Sequence, residues 1–416
     1  MIKIRSLHLE NYRGFKDTTI EFGDHITCIA GINGAGKSSC LDALSKSLHA
    51  LIRPVLNPKF RDVSFQDIKE SDVNVKSENK YASVSLDFTC NEKLLSQKID
   101  SNFAISQNFE TKDIADSLDK NFAIFSYYTV NRSELDIDVS LESEKDLSKK
   151  IESVAGALAA VTHYKEFFKW FRDREDRENQ EIVARYKKQN KEVDYEDYAL
   201  KAVRTAISTL LPNMSQMTVE RKKLSIIVSK GDDVLDFSTL SDGEKGIITL
   251  FGDIARRLAI ANETLENPLE GNGIILIDEI DLHLHPSWQR KICHALVKTF
   301  PNCQFVITTH SPQILGELKT DEIWLLNDFN VYRPDSSFGL TSNQILDEVM
   351  DVIDGDFSLS RDSTIAKKLQ DLNLAMETEK FADAKKIIAE LEETTGTNLH
   401  EAESCKIALE MMESEE

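Results

Sequence analysis

The chain has 416 residues, 41% of them hydrophobic and 29% charged, and a formal net charge of −21. That length holds two or three domains, or one large α/β domain with insertions. The acidity excludes broad electrostatic binding to nucleic acid, so any such contact needs a local basic patch or a partner.

Six scattered cysteines without a Cys-x-x-Cys pair argue against a zinc site or disulfide framework and fit a reducing cytosol. The N-terminus lacks the basic and apolar pattern of a signal peptide. No run approaches the roughly 18 apolar residues that span a membrane.

Ile2 to Leu9 alternates as a strand, and Thr18 to Phe22 forms a second. His25 to Ala30 is a short β-branched apolar run, the pattern of a buried strand. It leads into Gly31-Ile-Asn-Gly-Ala-Gly-Lys-Ser38, a full phosphate-binding loop. Glycines there let the backbone curl so that successive N–H groups point at phosphate oxygens. Lys37 can reach the outer phosphates, and the Ser38 hydroxyl can hold Mg²⁺. Leu41, Leu44, Leu48 and Leu51 recur at helical spacing, and the helix start adds its positive end to the anion site. The loop therefore implies a nucleotide, ATP or GTP, with Mg²⁺; Asn33, Gly34, Ala35, Gly36, Lys37, Ser38 and Ser39 are its expected contacts.

Residues from about Leu56 to Asn79 read as an exposed connection. Tyr81 to Phe88 and Ile124 to Val130 read as strands. Glu142 to Leu211 is mostly helical, and within it Phe167, Phe168, Trp170 and Phe171 sit beside Arg172, Arg174 and Arg177. That cluster is either a helical core stripe or a surface that stacks on DNA. Val219 to Val228 reads as one strand, and Leu240 opens a helix. Ile274 to Ile277 is an apolar strand running into Asp278 and Glu279, which suit a Mg²⁺ carboxylate and a general base for the attacking water. Phe305 to Thr309 is another such strand, ending in His310, placed to sense the γ-phosphate and hold that water in line. Ile323 to Leu326 is the expected last strand, and the chain from Asp362 onward is helical, acidic and amphipathic.

Leu240-Ser-Asp-Gly-Glu-Lys245, immediately before a helix, makes a second anion site far from the first. Leu240 to Glu244 resembles the signature motif of ATP-binding-cassette ATPases. That superfamily has the same order of loop, signature, Asp-Glu strand, Asp281 turn and His310. The resemblance covers about Met1 to Leu326 and implies a mixed α/β sheet flanked by helices, with a helical insertion and a helical tail. It also implies a head-to-tail homodimer in which Ser241, Gly243 and Glu244 reach the γ-phosphate of ATP held by the other subunit. Asp281 resembles the residue that signals across that dimer. Asn11-Tyr-Arg-Gly-Phe15 resembles the Asn-Phe-Arg turn of the RecF, SMC and OLD-like branch, so Arg13 is expected to approach the phosphates. Gln66 is the candidate for the glutamine that senses Mg²⁺ and water.

Asp281, His283 and His285 alternate like metal ligands, but the run resembles one found in this branch without a dedicated metal. Asp354-Gly355-Asp356 resembles the acidic pair of a Toprim nuclease, in a tail too short and too helical for that domain. No nuclease constellation is evident. The stretches His163 to Arg177, Tyr127 to Arg132 and Gly339 to Leu346, with the helical hairpin around Phe381 to Leu391, resemble the PtuA ATPases of Septu-type antiphage systems and their retron-associated relatives. That resemblance implies an HNH nuclease partner like PtuB, assemblies larger than a dimer and DNA contact through the complex; the cysteines, the N-terminal turn and the lack of a spanning run add the expectation of a cytoplasmic protein without a membrane role. The apolar faces of the tail, Leu369, Leu372, Met376, Ala382, Ile387, Ile388 and Leu391, suit either a cap or a docked partner. The implied division is residues 1–141 and 217–335 for the two parts of the ATPase domain, 142–216 for the insertion and 336–416 for a partner-binding or oligomerisation region. A RecF-like repair ATPase binding DNA directly and the ATPase subunit of a transporter are the competing readings.

Overall fold

The computed structural model describes the chain except residues 53–67, 79, 103, 121, 131–163, 190–194, 224, 351–362, 379, 396–398 and 415–416. Its two compact units are Met1–Gly339 and Leu340–Glu416.

In the first unit, strands buried on both faces and strands buried on one face separate into different sheets. β3 (Ile26–Gly31), β7 (Ile124–Tyr128), β11 (Gly273–Ile277) and β12 (Cys303–Thr309) are buried at every position. They lie parallel, the arrangement that continuous apolar runs favour. With β13 (Ile323–Asn327) and β14 (Asn330–Tyr332) the order is β14-β13-β3-β12-β11-β7. β1 (Ile2–Glu10) instead alternates, as does β4 (Ser83–Cys90), and they join β2 (Asp17–Glu21), β5 (Lys93–Asp100) and β6 (Ile105–Gln107) in an antiparallel sheet ordered β2-β1-β4-β5-β6.

Helix α1 (Lys37–Ile52) and α2 (Thr111–Lys120) share a core with both sheets: Leu41, Leu44 and Leu48 meet Leu7 and Leu86 from one and Leu276 and Val306 from the other. Gln304 of β12 links the sheets directly. Its carboxamide takes Ile4 N–H at 2.8 Å and donates to the carbonyls of Ile4 at 2.9 Å and Gly23 at 2.6 Å. The third sheet, β10-β9-β8, comprises β8 (Met214–Glu220), β9 (Ser225–Lys230) and β10 (Asp233–Asp236).

Three expectations need correction. Val219 to Val228 is a hairpin, not one strand. Arg221 at the turn folds back onto Glu175 and Asp176, both at 2.6 Å, so the basic residues mark a reversal that the flanking apolar pattern hides. Ile323 to Leu326 is not the last strand: Asp328 and Phe329, both with left-handed φ, turn the chain into β14. The connection before Tyr81 is not simply exposed, since Ile68, Asp72 and Asn74 are buried.

Of the long helical stretch, α3 (Tyr164–Gln189) and α4 (Tyr198–Leu210) are described. Phe167, Phe168 and Phe171 are buried. Phe167 lies so close to Gly252 that a β-carbon there would sit 2.7 Å from its ring. These aromatics are core, and Arg172 and Arg174 pair with Asp173 and the Tyr198 hydroxyl.

In the second unit, α6 (Ser363–Glu377), α7 (Phe381–Thr395) and α8 (His400–Ser414) close around Leu369, Leu372, Ile388, Leu391, Ala402 and Leu409. Ala384 faces this core and Ala382 is exposed, a register different from the expected face.

Candidate nucleotide site

Three neighbouring parallel strands end together. The register pairs Ala30 of β3 with Thr309 of β12, and Ile307 of β12 with Ile277 of β11. The loop after β3, the Asp278-Glu279 pair after β11 and His310 after β12 therefore emerge along one edge, where open α/β sheets take their ligands.

The loop turns through two left-handed glycines, Gly34 at φ 81° and Gly36 at φ 111°. A β-carbon on Gly36 would press against Phe329 and Phe15, while Asn33, Gly34 and Ser38 are exposed and Ala35 is buried. Lys37 is buried, and its ammonium donates to the carbonyls of Gly31 at 3.0 Å and Ile32 at 2.9 Å. Burial lowers its pKa, partly opposed by the nearby carboxylates of Asp278, Glu279 and Asp281. No acidic residue occupies the first turn of α1.

Asp278 is buried, and its carboxylate accepts the Thr308 hydroxyl. Glu279 follows in a left-handed conformation at φ 45°, costly for a residue with a β-carbon, and its N–H donates to Thr308 Oγ1 at 2.8 Å. Asp281 accepts the Thr309 hydroxyl and the His310 N–H. The Gln289 carboxamide, itself held by Ser311 at 2.8 Å, donates to the carbonyls of Asp281 and Leu284. His310 is half-buried; burial and then the Lys37 ammonium push its imidazole below the ordinary range. Its Nε2 is buried without a hydrogen-bond partner among the described residues.

Arg13, itself left-handed at φ 51°, reaches the exit of the loop. Its guanidinium donates to Ser39 Oγ at 3.2 Å, Asp42 at 2.6 Å and Asp72 at 3.0 Å. Lys46 joins the same carboxylates at 2.8 and 2.7 Å. Burial opposes the Arg13 charge, yet its surroundings, Asp42 and Asp72 among them, hold its pKa above the ordinary value.

The second expected anion site starts α5 (Asp242–Ala261). Ser241 caps the helix in a capping box: its N–H and hydroxyl donate to Glu244 Oε2 at 3.0 and 2.8 Å, and its oxygen accepts Glu244 N–H at 3.3 Å. Lys230 holds the other Glu244 oxygen at 2.6 Å. Gly243 is required by a close approach, since a β-carbon would lie 2.6 Å from the His283 carbonyl. The turn after β11 is thereby seated on the start of α5. A cavity of about 710 Å³ opens here, lined by Lys230, Ser241, Glu244, His283, His285 and Trp288 among others, and by no residue of the phosphate loop.

The residues 2–315 match the model of an AAA ATPase domain. The chain belongs to this AAA ATPase family. The ATPase is 30% identical to the retron Ec83 probable ATPase of Escherichia coli, over 98% of this chain and 87% of that one. It is 24% identical to the Septu protein PtuA of Bacillus thuringiensis, over 84% of each chain. Among solved structures, an SMC head bound to the C-winged helix domain of ScpA is 18% identical, covers 81% of this chain and 98% of that one, and has a TM-score of 0.48.

The structure of the ATPase brings Lys37, Ser38, Asp278, Glu279, Asp281 and His310 to one strand edge, with Arg13 beside Ser39. It places Ser241 and Glu244 on the wall of a separate cavity, with Gly243 against the His283 carbonyl beside it. Gln66 and the Asp354/Asp356 pair lie outside the described residues. Asp281, His283 and His285 form no metal cluster; among the described residues no three or more His, Cys, Asp or Glu side chains converge on one. No described helix is long and apolar enough to cross a membrane.

Sequence reading missed Thr308 and Thr309, whose hydroxyls orient Asp278 and Asp281. The Thr-Thr pair before His310 is the available signal, because buried hydroxyls need partners. It also missed Phe329, whose N–H donates to the Ala35 carbonyl at 3.2 Å and whose ring packs edge-on to Phe15.

Proposed function

We propose that this ATPase is the nucleotide-driven subunit of a cytoplasmic defence complex like those of its retron and Septu relatives. It works as a head-to-tail dimer that encloses two ATP molecules, joins a larger assembly, and controls an HNH-type partner nuclease acting on DNA. Cutting is left to that partner.

The observation that carries the reading is the convergence of Lys37, Asp278, Glu279 and His310 at the ends of β3, β11 and β12, with a buried, unpartnered His310 Nε2 among them. Lys37 and the N–H groups of Asn33 to Ser39 cradle the triphosphate. The Ser38 hydroxyl and the Asp278 carboxylate fit Mg²⁺, being the oxygen donors a hard cation takes, and would hold the ion, with Gln66 as the expected further ligand; the ion would neutralise phosphate charge. Glu279 accepts the proton of the attacking water, and His310, kept neutral by its surroundings, orients that water through Nε2. Arg13 orders the loop exit. Ser241, Gly243, Glu244 and Asp281 meet the nucleotide of the second subunit, and residues 336–416 bind the partner or further copies.

Replacing Glu279 tests this. Glu279→Gln should lower turnover about 10²- to 10⁴-fold while an ATP-bound dimer accumulates, read by phosphate release and light scattering. Undiminished hydrolysis would reject the assignment. Capture from the native host should retain a small HNH protein; its absence would remove the proposed partner.

A further inference from the structure

Tyr128 ends β7 with each of its two polar ends on a different half of the site. Its carbonyl accepts the Asp278 N–H at 2.8 Å. Its hydroxyl donates to Asp253 Oδ2 at 2.8 Å. Asp278 belongs to the phosphate-loop half, and Asp253 lies on α5, the helix that Ser241 caps.

Asp253 is fully buried, as is Arg257. Its carboxylate also takes Arg256 at 2.8 and 2.6 Å and Arg257 at 2.7 Å. Burial opposes the Arg257 charge, but its surroundings, Asp253 first and Tyr128 next, together hold the guanidinium above its ordinary pKa. Buried ion clusters of this kind are weak sources of stability, since apolar replacements of the same volume often serve as well. They do fix geometry, because every alternative position leaves a buried charge unpaired. The cluster thus locks one point of α5 to the end of β7.

We propose that Tyr128 is a positioning residue that couples the seat of α5 to the backbone of Asp278 and Glu279. The inference rests on the two-subunit reading above. Asp253 stands three turns along α5 from Ser241, about 18 Å at 1.5 Å per residue. A packed helix moves as a body, so docking of a second subunit's nucleotide on Ser241 reaches Asp253. Tyr128 passes that shift to the Asp278 N–H. Glu279 follows directly, in its left-handed conformation, so its carboxylate moves with the Asp278 backbone. The second subunit then does more than close the site: it sets the general base.

The test uses the full chain and Tyr128→Phe, which keeps the ring and leaves Asp253 with both arginines. Three quantities are compared: ATP affinity of the dilute chain, ATP-driven dimer formation with Glu279→Gln added, and turnover per subunit as protein concentration rises. The wild-type rate should rise as dimers form. Tyr128→Phe should keep ATP affinity within about twofold and still dimerise, while the rise shrinks about ten- to a hundredfold, the scale of a small misplacement of a reacting group. A variant that rises like wild type overturns the coupling and leaves the two-subunit reading standing. Loss of ATP affinity together with turnover assigns Tyr128 a packing role and overturns it as well. A wild-type rate that ignores protein concentration overturns both.

Discussion

The two helix starts proposed to meet phosphate are built in opposite ways. α1 begins after two left-handed glycines, has no acidic residue in its first turn, and carries Lys37 beside its N-terminus. α5 begins with Asp242 and Glu244 in its first turn and closes its own end with the Ser241–Glu244 box, backed by Lys230. The positive end of a helix attracts an anion only where its own carboxylates have not already satisfied it. One start is ready in a single chain. The other is closed on itself by the Ser241–Glu244 box and Lys230.

The largest expected effect breaks the ready half. Lys37→Ala should reduce ATP affinity about a hundredfold or more, because a phosphate contact loses its buried cation; calorimetry that finds the affinity retained would move the nucleotide elsewhere. Next, Ser241→Arg should leave the affinity of the dilute chain within about twofold while turnover falls about tenfold or more, as when one transition-state donor is lost. Intact turnover in that variant would dissolve the distinction between the halves.

The smallest effect measures how closed α5 is. Glu244→Ala should cost about 1 kcal/mol, the usual worth of a cap, and lower the melting temperature by about 2 °C. Burial raises the Glu244 pKa, but Lys230 and Ser241 outweigh it and hold it below the ordinary value. The stabilisation is therefore complete above about pH 4.3 and disappears as the pH falls through the depressed value. Wild type and variant should melt alike in sufficiently acidic buffer. A gap that persists there would mean that the carboxylate charge does not close the cap.

The ready half was the more legible in sequence, for a physical reason. β3, β11 and β12 are buried on both faces, so each is a largely apolar run that leads into polar residues at its C-terminal end, where the candidate site lies. The self-closing of α5 needed Lys230 from another sheet, which no local pattern announces. Arg13 was noticed for its turn, but its partners Asp42 and Asp72 lie on α1 and in the segment after residue 67, out of reach of periodicity. Thr308 and Thr309 looked like ordinary strand formers. The β8–β9 hairpin was hidden because Val219, Ile226 and Val228 suggest one apolar run across a turn of basic residues.

The order of β14-β13-β3-β12-β11-β7 also bears on how the protein is made. β3 leaves the ribosome early, yet both of its neighbours come from near the end of the first unit. Its pairing with β13 is completed only at Leu326, roughly 300 residues after Gly31. At ordinary synthesis rates of roughly 5–20 residues per second, about 15–60 s pass before β3 has both of its neighbours. With Glu279 and His310 in their proposed roles, hydrolysis would have to wait as well, because both residues are made late. A product that stalls before Glu279 would lack the proposed general base, so the proposed control of a nuclease would wait for most of the first unit to be made.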